Sequence, residues 1–387
     1  MDSTFFDQII ERRGTGCIKY DLHPAGARED LIPLWVADMD FPCPPTVSEA
    51  LAARARHGIY GYGSDEPAYF RAVQQWFETR HGFRFQARDV IPVPGVVFGL
   101  SVIVRALTAP GDPIMISQPV YHPFPRIIEA NGRRTVINQL VLKENRYQFD
   151  FAALEAQIVS EGVKAYLLCS PHNPVGRVWS RGELETLAGI CLRHGVLMIS
   201  DEIHCDFVHE GHKHTPLASL SEEAALATVT CTAPSKTFNL AGLQGSNLIV
   251  QNEEYRKKIR EELSAMGCHG LNVMAATAGR VAYETGAPWL EALLVYLQQG
   301  AALVREGLGD VPLTLLPLEG TYLGWLDCRA LGLTPKELDQ LCLEKAGLWL
   351  QNGRDFGLGG DGFLRWNLAC PHSVLREAVE RLRRALN

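Results

Sequence analysis

The ten cysteines are scattered along the chain, and no two of them form a C-x-x-C pair. That absence excludes a disulfide-stapled scaffold and a ribbon-type metal centre. It fits the reduced, buried thiols of a cytoplasmic protein. Cys169, Cys191 and Cys231 lie inside apolar runs, which predicts core packing. There is no run of about 18 uncharged apolar residues, so a transmembrane helix is not expected. The first thirteen residues, MDSTFFDQIIERR, carry acids and arginines where a signal peptide needs a continuous apolar stretch. Long basic runs are also missing, and the net charge of -7 argues against a nucleic-acid surface. No internal repeat, low-complexity tract or long linker interrupts the chain.

What is present is the composition of an ordinary globular protein. Of 387 residues, 47% are apolar and 21% charged, enough for a sizeable core and for two or three compact units. The middle of the chain alternates short β-rich runs with helical patterns. Ala165–Cys169, Val196–Ser200 and Thr228–Thr232 read as buried strands, and Glu183–Arg193 reads as a helix ending at His194-Gly195. Strands alternating with helical crossovers predict a parallel α/β sheet. The last hundred residues change character. A helical pattern over Pro288–Glu306 precedes isolated strands at Tyr322–Asp327 and Phe363–Asn367, which predicts a smaller α+β domain. The first forty residues are too irregular to stand alone and are expected to pack on it. The expected division is 48–287 for the large domain, and 1–47 with 288–387 for the small one.

Ligands of open parallel sheets bind beyond the carboxyl ends of the strands. The first of the three strands runs into Ser-Pro-His-Asn-Pro and places Asn173 past its end. The second delivers Asp201, and the third delivers Ser235 and Lys236. An amide, a carboxylate and a lysine on one sheet edge suit pyridoxal phosphate. Its aldehyde takes a lysine amine, its pyridine nitrogen needs a carboxylate to stay protonated, and its phenolic oxygen wants a donor. A phosphate needs free N–H groups at a helix start. Gly95, Val96 and Val97, at the head of a long apolar helical stretch, fit that need, and Ser235 can add a hydroxyl. Each signal alone has an ordinary reading: a solvated lysine, a loop-start aspartate, an Asn-Pro turn, a plain helix entry. Their combination, each at a strand end, does not.

Three strings carry a family resemblance: CSPHNPVG (Cys169–Gly176), SDEIHCDF (Ser200–Phe207) and SKTFNLAGL (Ser235–Leu243). They resemble the fold-type I, pyridoxal-phosphate-dependent class I/II aminotransferase family. Within it they are most similar to the carbon–sulfur lyase branch, the cystathionine β-lyases of the MalY/PatB type. Support extends to LWVADMDF (Leu34–Phe41), YGY (Tyr60–Tyr62), QPVYHPF (Gln118–Phe124), TYLGWLD (Thr321–Asp327) and FLRWN (Phe363–Asn367), nearly the whole chain. The resemblance implies a large domain with a mostly parallel seven-stranded sheet flanked by helices, beside the smaller α+β domain. It implies a cytoplasmic homodimer with shared active sites, acting on a small amino acid in sulfur amino-acid metabolism such as methionine biosynthesis. Lys236 would be the Schiff-base lysine and general base. Asp201 would pair with the pyridine nitrogen, Asn173 would bond the phenolic oxygen, and Tyr121 would stack on the ring. Tyr62 would reach the neighbouring subunit's phosphate, although a plain turn tyrosine explains it almost as well. Arg365 would hold the substrate carboxylate, with Ala37 and Asn173 beside it. Gln244 replaces the phosphate-binding arginine that transaminases carry eight positions after the lysine. That departure favours a lyase.

The implied reaction is β-elimination from cystathionine or an S-substituted L-cysteine, giving a thiol, pyruvate and ammonia. Transamination shares its first steps and is the alternative within the family. A cofactor-holding protein with a regulatory partner is a third reading from another class. His204, His209, His212 and His214 sit close in sequence but complete no standard metal spacing, so no metal is expected. Glu253–Glu262 reads as an exposed helix with i,i+4 ion pairs, and Leu375–Leu386 as a packing amphipathic helix. Tyr60, Trp35, Trp366 and the Leu350–Gly360 loop are expected to line the substrate pocket.

Overall fold

The computed structural model describes residues 3–64 and 66–387. Residues 1, 2 and 65, which fall within the expected domains, lie outside that description. Seven strands form the main sheet: β1 (Val90–Val93), β2 (Pro113–Gln118), β3 (Arg134–Gln139), β4 (Ala165–Cys169), β5 (Leu197–Asp201), β6 (Thr228–Thr232) and β7 (Ser246–Val250). Their spatial order is β1-β7-β6-β5-β4-β2-β3. All neighbouring pairs are parallel except those made by β7, which runs antiparallel to both β1 and β6.

Strands β4 to β7 are buried at every position, because helices cover both faces of the sheet. Successive side chains alternate between two cores. Leu167 and Ile199 enter the one under Val96–Leu107, and Leu168 and Met198 enter the one under Arg181–Arg193. The helix Glu253–Ala265 is charged outside, as its sequence predicts, but it also buries Ile259 and Leu263 in the first of these cores.

A second, four-stranded antiparallel sheet follows. It contains β8 (Leu323–Asp327) and β9 (Phe363–Asn367), flanked by Thr314–Leu315 and Gln351–Asn352. The long helix Ala287–Leu308 and the terminal helix His372–Leu386 pack together, the latter burying Leu375, Ala378, Val379 and Leu382. The N-terminal segment is stitched to this unit. Ile32–Pro33 pairs with Leu348–Trp349, and the Asn367 amide donates to the carbonyls of Val36 and Asp38, both at 2.6 Å. Arg12 bridges Asp38 and Asp40, while fully buried Lys19 donates to Asp40 at 2.8 Å. These ties stretch residues 34–41 across the carboxyl edge of the main sheet. Among the described residues no helix is long and apolar enough to cross a membrane.

Candidate active site

Strand register brings the site together. Cys169, Asp201 and Cys231 lie in one row across β4, β5 and β6, so the three chain segments leave the sheet side by side. Asp201 is the last residue of β5, one position further into the strand than its sequence suggests. Asn173 follows β4, and Lys236 sits on the single turn α1 (Pro234–Thr237) after β6. A cavity of about 250 Å³ opens where they meet. Lys236, Asp201, Asn173, Arg365 and Tyr121 line it, with Ala37, Val96 and Val97. A surface groove of about 580 Å³ runs elsewhere, past Arg71, Arg88 and Arg260. It is larger but gathers no lysine, carboxylate and amide in one wall, so the chemistry favours the smaller cavity.

The electrostatics of this cavity are those of a site built for another charged group. Asp201 accepts only the Ile203 N–H, at 3.1 Å, and burial pushes its carboxyl up to about 7. Lys236 Nζ donates to the Ala37 carbonyl at 2.5 Å, and burial lowers the amine to about 8 despite the nearby Asp38. Arg365 is buried without a carboxylate partner. It donates to Asn173 Oδ1 at 3.1 Å and to the Trp35 carbonyl at 2.7 Å, leaves its Nε unbonded, and is lowered to about 10 by burial. A buried guanidinium in this state suits a ligand carboxylate. A buried carboxyl in the state of Asp201 suits a cationic ring nitrogen.

The phosphate end fits as well. The helix Val96–Leu107 has no side-chain cap, so the N–H groups of its first turn are free of one. Gly95 adopts φ 95° and ψ 147°, a conformation that a side chain disfavours, and the space beside it is open. The donor set therefore fits pyridoxal phosphate, with Lys236 for the aldehyde, Asp201 for the ring nitrogen and the Gly95–Val97 turn for the phosphate.

Three expected cofactor residues, Gly95, Ser235 and Tyr62, are not in the cavity wall. Ser235 is half-buried on α1 and lies outside the lining. Tyr62 is fully exposed and borders a separate depression with Arg54 and His269, so the single chain does not bring it to Lys236. Gln244 is exposed at the end of a short helical turn. Among the pocket candidates, Trp35 and Gln351 do line the cavity. Tyr60 instead donates to Ala55 on the outside. Trp366 is completely buried in the small-domain core, because on β9 it faces opposite to its neighbour Arg365.

His204, His209 and His214 are buried, although the segment that carries them is polar in composition, and each has its own surroundings. His209 bonds the Thr321 carbonyl at 2.8 Å and His214 bonds Glu202 at 2.9 Å, while His204 enters the cavity wall. Burial and the charges of Lys236 and Arg365 hold His204 well below its ordinary value, so it is neutral. His204 and His122 are titratable wall residues that the sequence reading missed, and Val36, Cys169 and Ile203 line the wall beside them. The signal was available, since SDEIH sets His204 three residues after Asp201.

Comparison with known proteins agrees with this geometry. The model of the family described as aminotransferase class I and II matches residues 29–382. The chain belongs to that family. It is 42% identical to cystathionine beta-lyase PatB of Bacillus subtilis, covering 99% of this chain and all of the relative. It is 34% identical to protein MalY of Escherichia coli, covering 98% of each. Among solved family structures it superposes on cystalysin from Treponema denticola, which contains a pyridoxal 5'-phosphate cofactor, with TM-score 0.95, 36% identity and 98% of each chain covered. The PLP-bound C-S lyase of Staphylococcus hominis gives TM-score 0.90 and 32% identity over 98% of each chain.

Proposed function

We propose that this chain is a pyridoxal-phosphate-dependent carbon–sulfur β-lyase. It would cleave cystathionine or an S-substituted L-cysteine, with water, to a thiol, pyruvate and ammonia. The observation that carries the reading is one cavity holding a lysine with a lowered pKa, an unpaired buried carboxyl and an unpaired buried guanidinium. The full-length likeness to proteins named as cystathionine β-lyases and C-S lyases supports it.

When bound, the cofactor supplies an aldehyde for the substrate amine and a protonated pyridine ring that withdraws electrons from the α carbon. The chain's own residues do the rest. Asp201 would face the ring nitrogen and, as a carboxylate, would keep it protonated. Arg365 binds the substrate α-carboxylate through its forked N–H groups. Asn173, whose Oδ1 accepts from Arg365, would offer its Nδ2–H to the phenolic oxygen, and Tyr121 would cover one ring face. Lys236 Nζ leaves the Ala37 carbonyl and takes the α proton. Its value of about 8 lets a useful fraction act as neutral base near neutral pH. The same Nζ then carries a proton to the departing sulfur.

The Gly95–Val97 turn and Ser235 would hold the phosphate, helped by Tyr62 from a second copy in a cytoplasmic homodimer. In this reading residues 48–287 form the cofactor-binding unit, and 1–47 with 288–387 form the unit that closes over it. Purified protein incubated with cystathionine and no keto acid tests the function. Stoichiometric thiol and pyruvate support elimination, whereas amino-group transfer to an added keto acid with no thiol released would overturn it in favour of transamination.

A further inference from the structure

Next to the Lys236 turn lies a buried carboxylate that the proposed mechanism does not use. Asp206 ends the turn 203–206 that follows Asp201. It is buried, and every donor it meets comes from elsewhere in the chain. Its Oδ2 accepts the Thr237 hydroxyl at 2.7 Å. Its Oδ1 accepts Trp76 Nε1–H at 3.1 Å and His81 Nε2–H at 2.9 Å, and the Arg80 guanidinium lies 3.2 Å away. Trp76, Arg80 and His81 belong to the helix Pro67–His81, which spans the back of the site. Burial works to raise the Asp206 carboxyl, but His81, Arg80 and the Thr237 hydroxyl hold it below its ordinary value. His81 is itself lowered by burial against the pull of Asp206, so it is a neutral donor.

Thr237 is the residue next to Lys236. The turn that carries both is only four residues long and has no side-chain cap at its start. Such a turn has little rigidity of its own. Two side chains pin it. Asn239 clasps the N-terminal segment through Met39 and Phe41, and Thr237 is bolted to Asp206. The second bolt runs from the Lys236 turn to the Asp201 turn, the two segments that would grip opposite ends of one rigid ring.

We propose that Asp206, anchored by His81 and Trp76 and acting through Thr237, is a positioning residue that sets the span between Asp201 and Lys236. The proposal rests on the cofactor reading above. The same His81, Cys205 and Asp206 bring donor atoms within 4.8 Å of one another, a grouping that a metal ion can use. Here Trp76, His81, Thr237 and the Arg80 cation already surround both carboxylate oxygens, so the cluster serves as an anchor and not as a cation site. A misplacement of about 1 Å at such a span can cost roughly 100-fold in rate.

The test uses Thr237→Val, which removes the hydroxyl and keeps the shape, and Thr237→Ser, which restores it. Asp206→Asn is a harsher third variant, and Thr237→Val remains informative where that one fails to fold. Each is titrated with pyridoxal phosphate, and the pH midpoint of its visible band, kcat and KM are measured alongside urea unfolding of the apo chain. For Thr237→Val, kcat is expected to fall about 10- to 100-fold with KM nearly unchanged. The band midpoint should move by about half a pH unit or more, because the lysine sits at a new distance from Asp201. Thr237→Ser should recover both. Wild-type kcat and midpoint in the valine variant would overturn the proposal. So would a serine variant as impaired as valine, or losses that track apo unfolding in both. A wild-type chain that takes up no pyridoxal phosphate would overturn the cofactor reading itself, and the proposal with it.

Discussion

Replacing Asp201 by asparagine should stabilise the apo chain at neutral pH, and the size of the effect follows from burial. The ordinary carboxyl value is 3.8, and in the fold it is pushed to about 7 because burial outweighs the Ile203 N–H and the nearby Lys236 charge. Below pH 3.8 the folded and unfolded chains both carry the proton. Between the two values the unfolded chain releases it and the folded chain keeps it, so stability falls as pH rises. Above about 7 the folded chain must hold a buried charge. At ~1.4 kcal/mol per pH unit the gap amounts to about 4 kcal/mol. The amide of the Asp201→Asn variant cannot ionise, so that chain should escape the decline. The assay is urea unfolding of both apo proteins from about pH 4 to about pH 8, in steps of about one unit. The stability difference, variant minus wild type, should grow by several kcal/mol across this window, while contributions from groups that do not interact with Asp201 cancel. Adding pyridoxal phosphate should then raise wild-type stability at the alkaline end more than the variant's, because only a carboxylate pairs with the ring cation. Parallel stability–pH curves would refute the argument, since they would mean that Asp201 is solvated or already paired.

Four further outcomes are expected. Lys236→Ala should abolish the visible cofactor band and the turnover together; a retained band would place the attachment elsewhere. The rate at which apo wild type takes up cofactor should rise with pH and level off above about 8, because only the neutral amine attacks an aldehyde; stopped-flow absorbance reads this directly. Arg365→Lys should lower kcat/KM about 100-fold while cofactor affinity stays near wild type, since a point charge replaces a fork. In an equimolar mixture of Lys236→Ala and Tyr62→Ala chains, dissociated and reassociated, activity should return to about a quarter of wild type, one intact site in each mixed dimer. No recovery would mean that Tyr62 serves no neighbouring site.

Much of this site was legible in the sequence because strand ends are local features. Ala165–Cys169, Thr228–Thr232 and Phe363–Asn367 occupy the spans their β-branched and apolar runs predict. Asn173, Asp201 and Lys236 then follow at their carboxyl ends by topology. Alternation along β9 could also have warned that Arg365 and Trp366 cannot face the same cavity. The burial of His204, His209 and His214 was not legible, since the segment between them is polar in composition. Long-range partners hold it, the Thr321 carbonyl just before β8 for His209 and the Glu202 carboxylate for His214.

By itself the sequence determined the alternating strand–helix order, the chemical types at each strand exit and the absence of a C-x-x-C pair or a long apolar run, because these depend on neighbours in the chain. The tertiary structure decided which residues carry unbalanced charge. Asp201 and Arg365 are ordinary surface types until the sheet, β9 and the 34–41 segment close around them and take away their water. It also decided that Asp206 meets His81 and Thr237, residues 125 and 31 positions away. Desolvation and long-range contact are properties of the enclosed volume, and no local pattern in the chain encodes them.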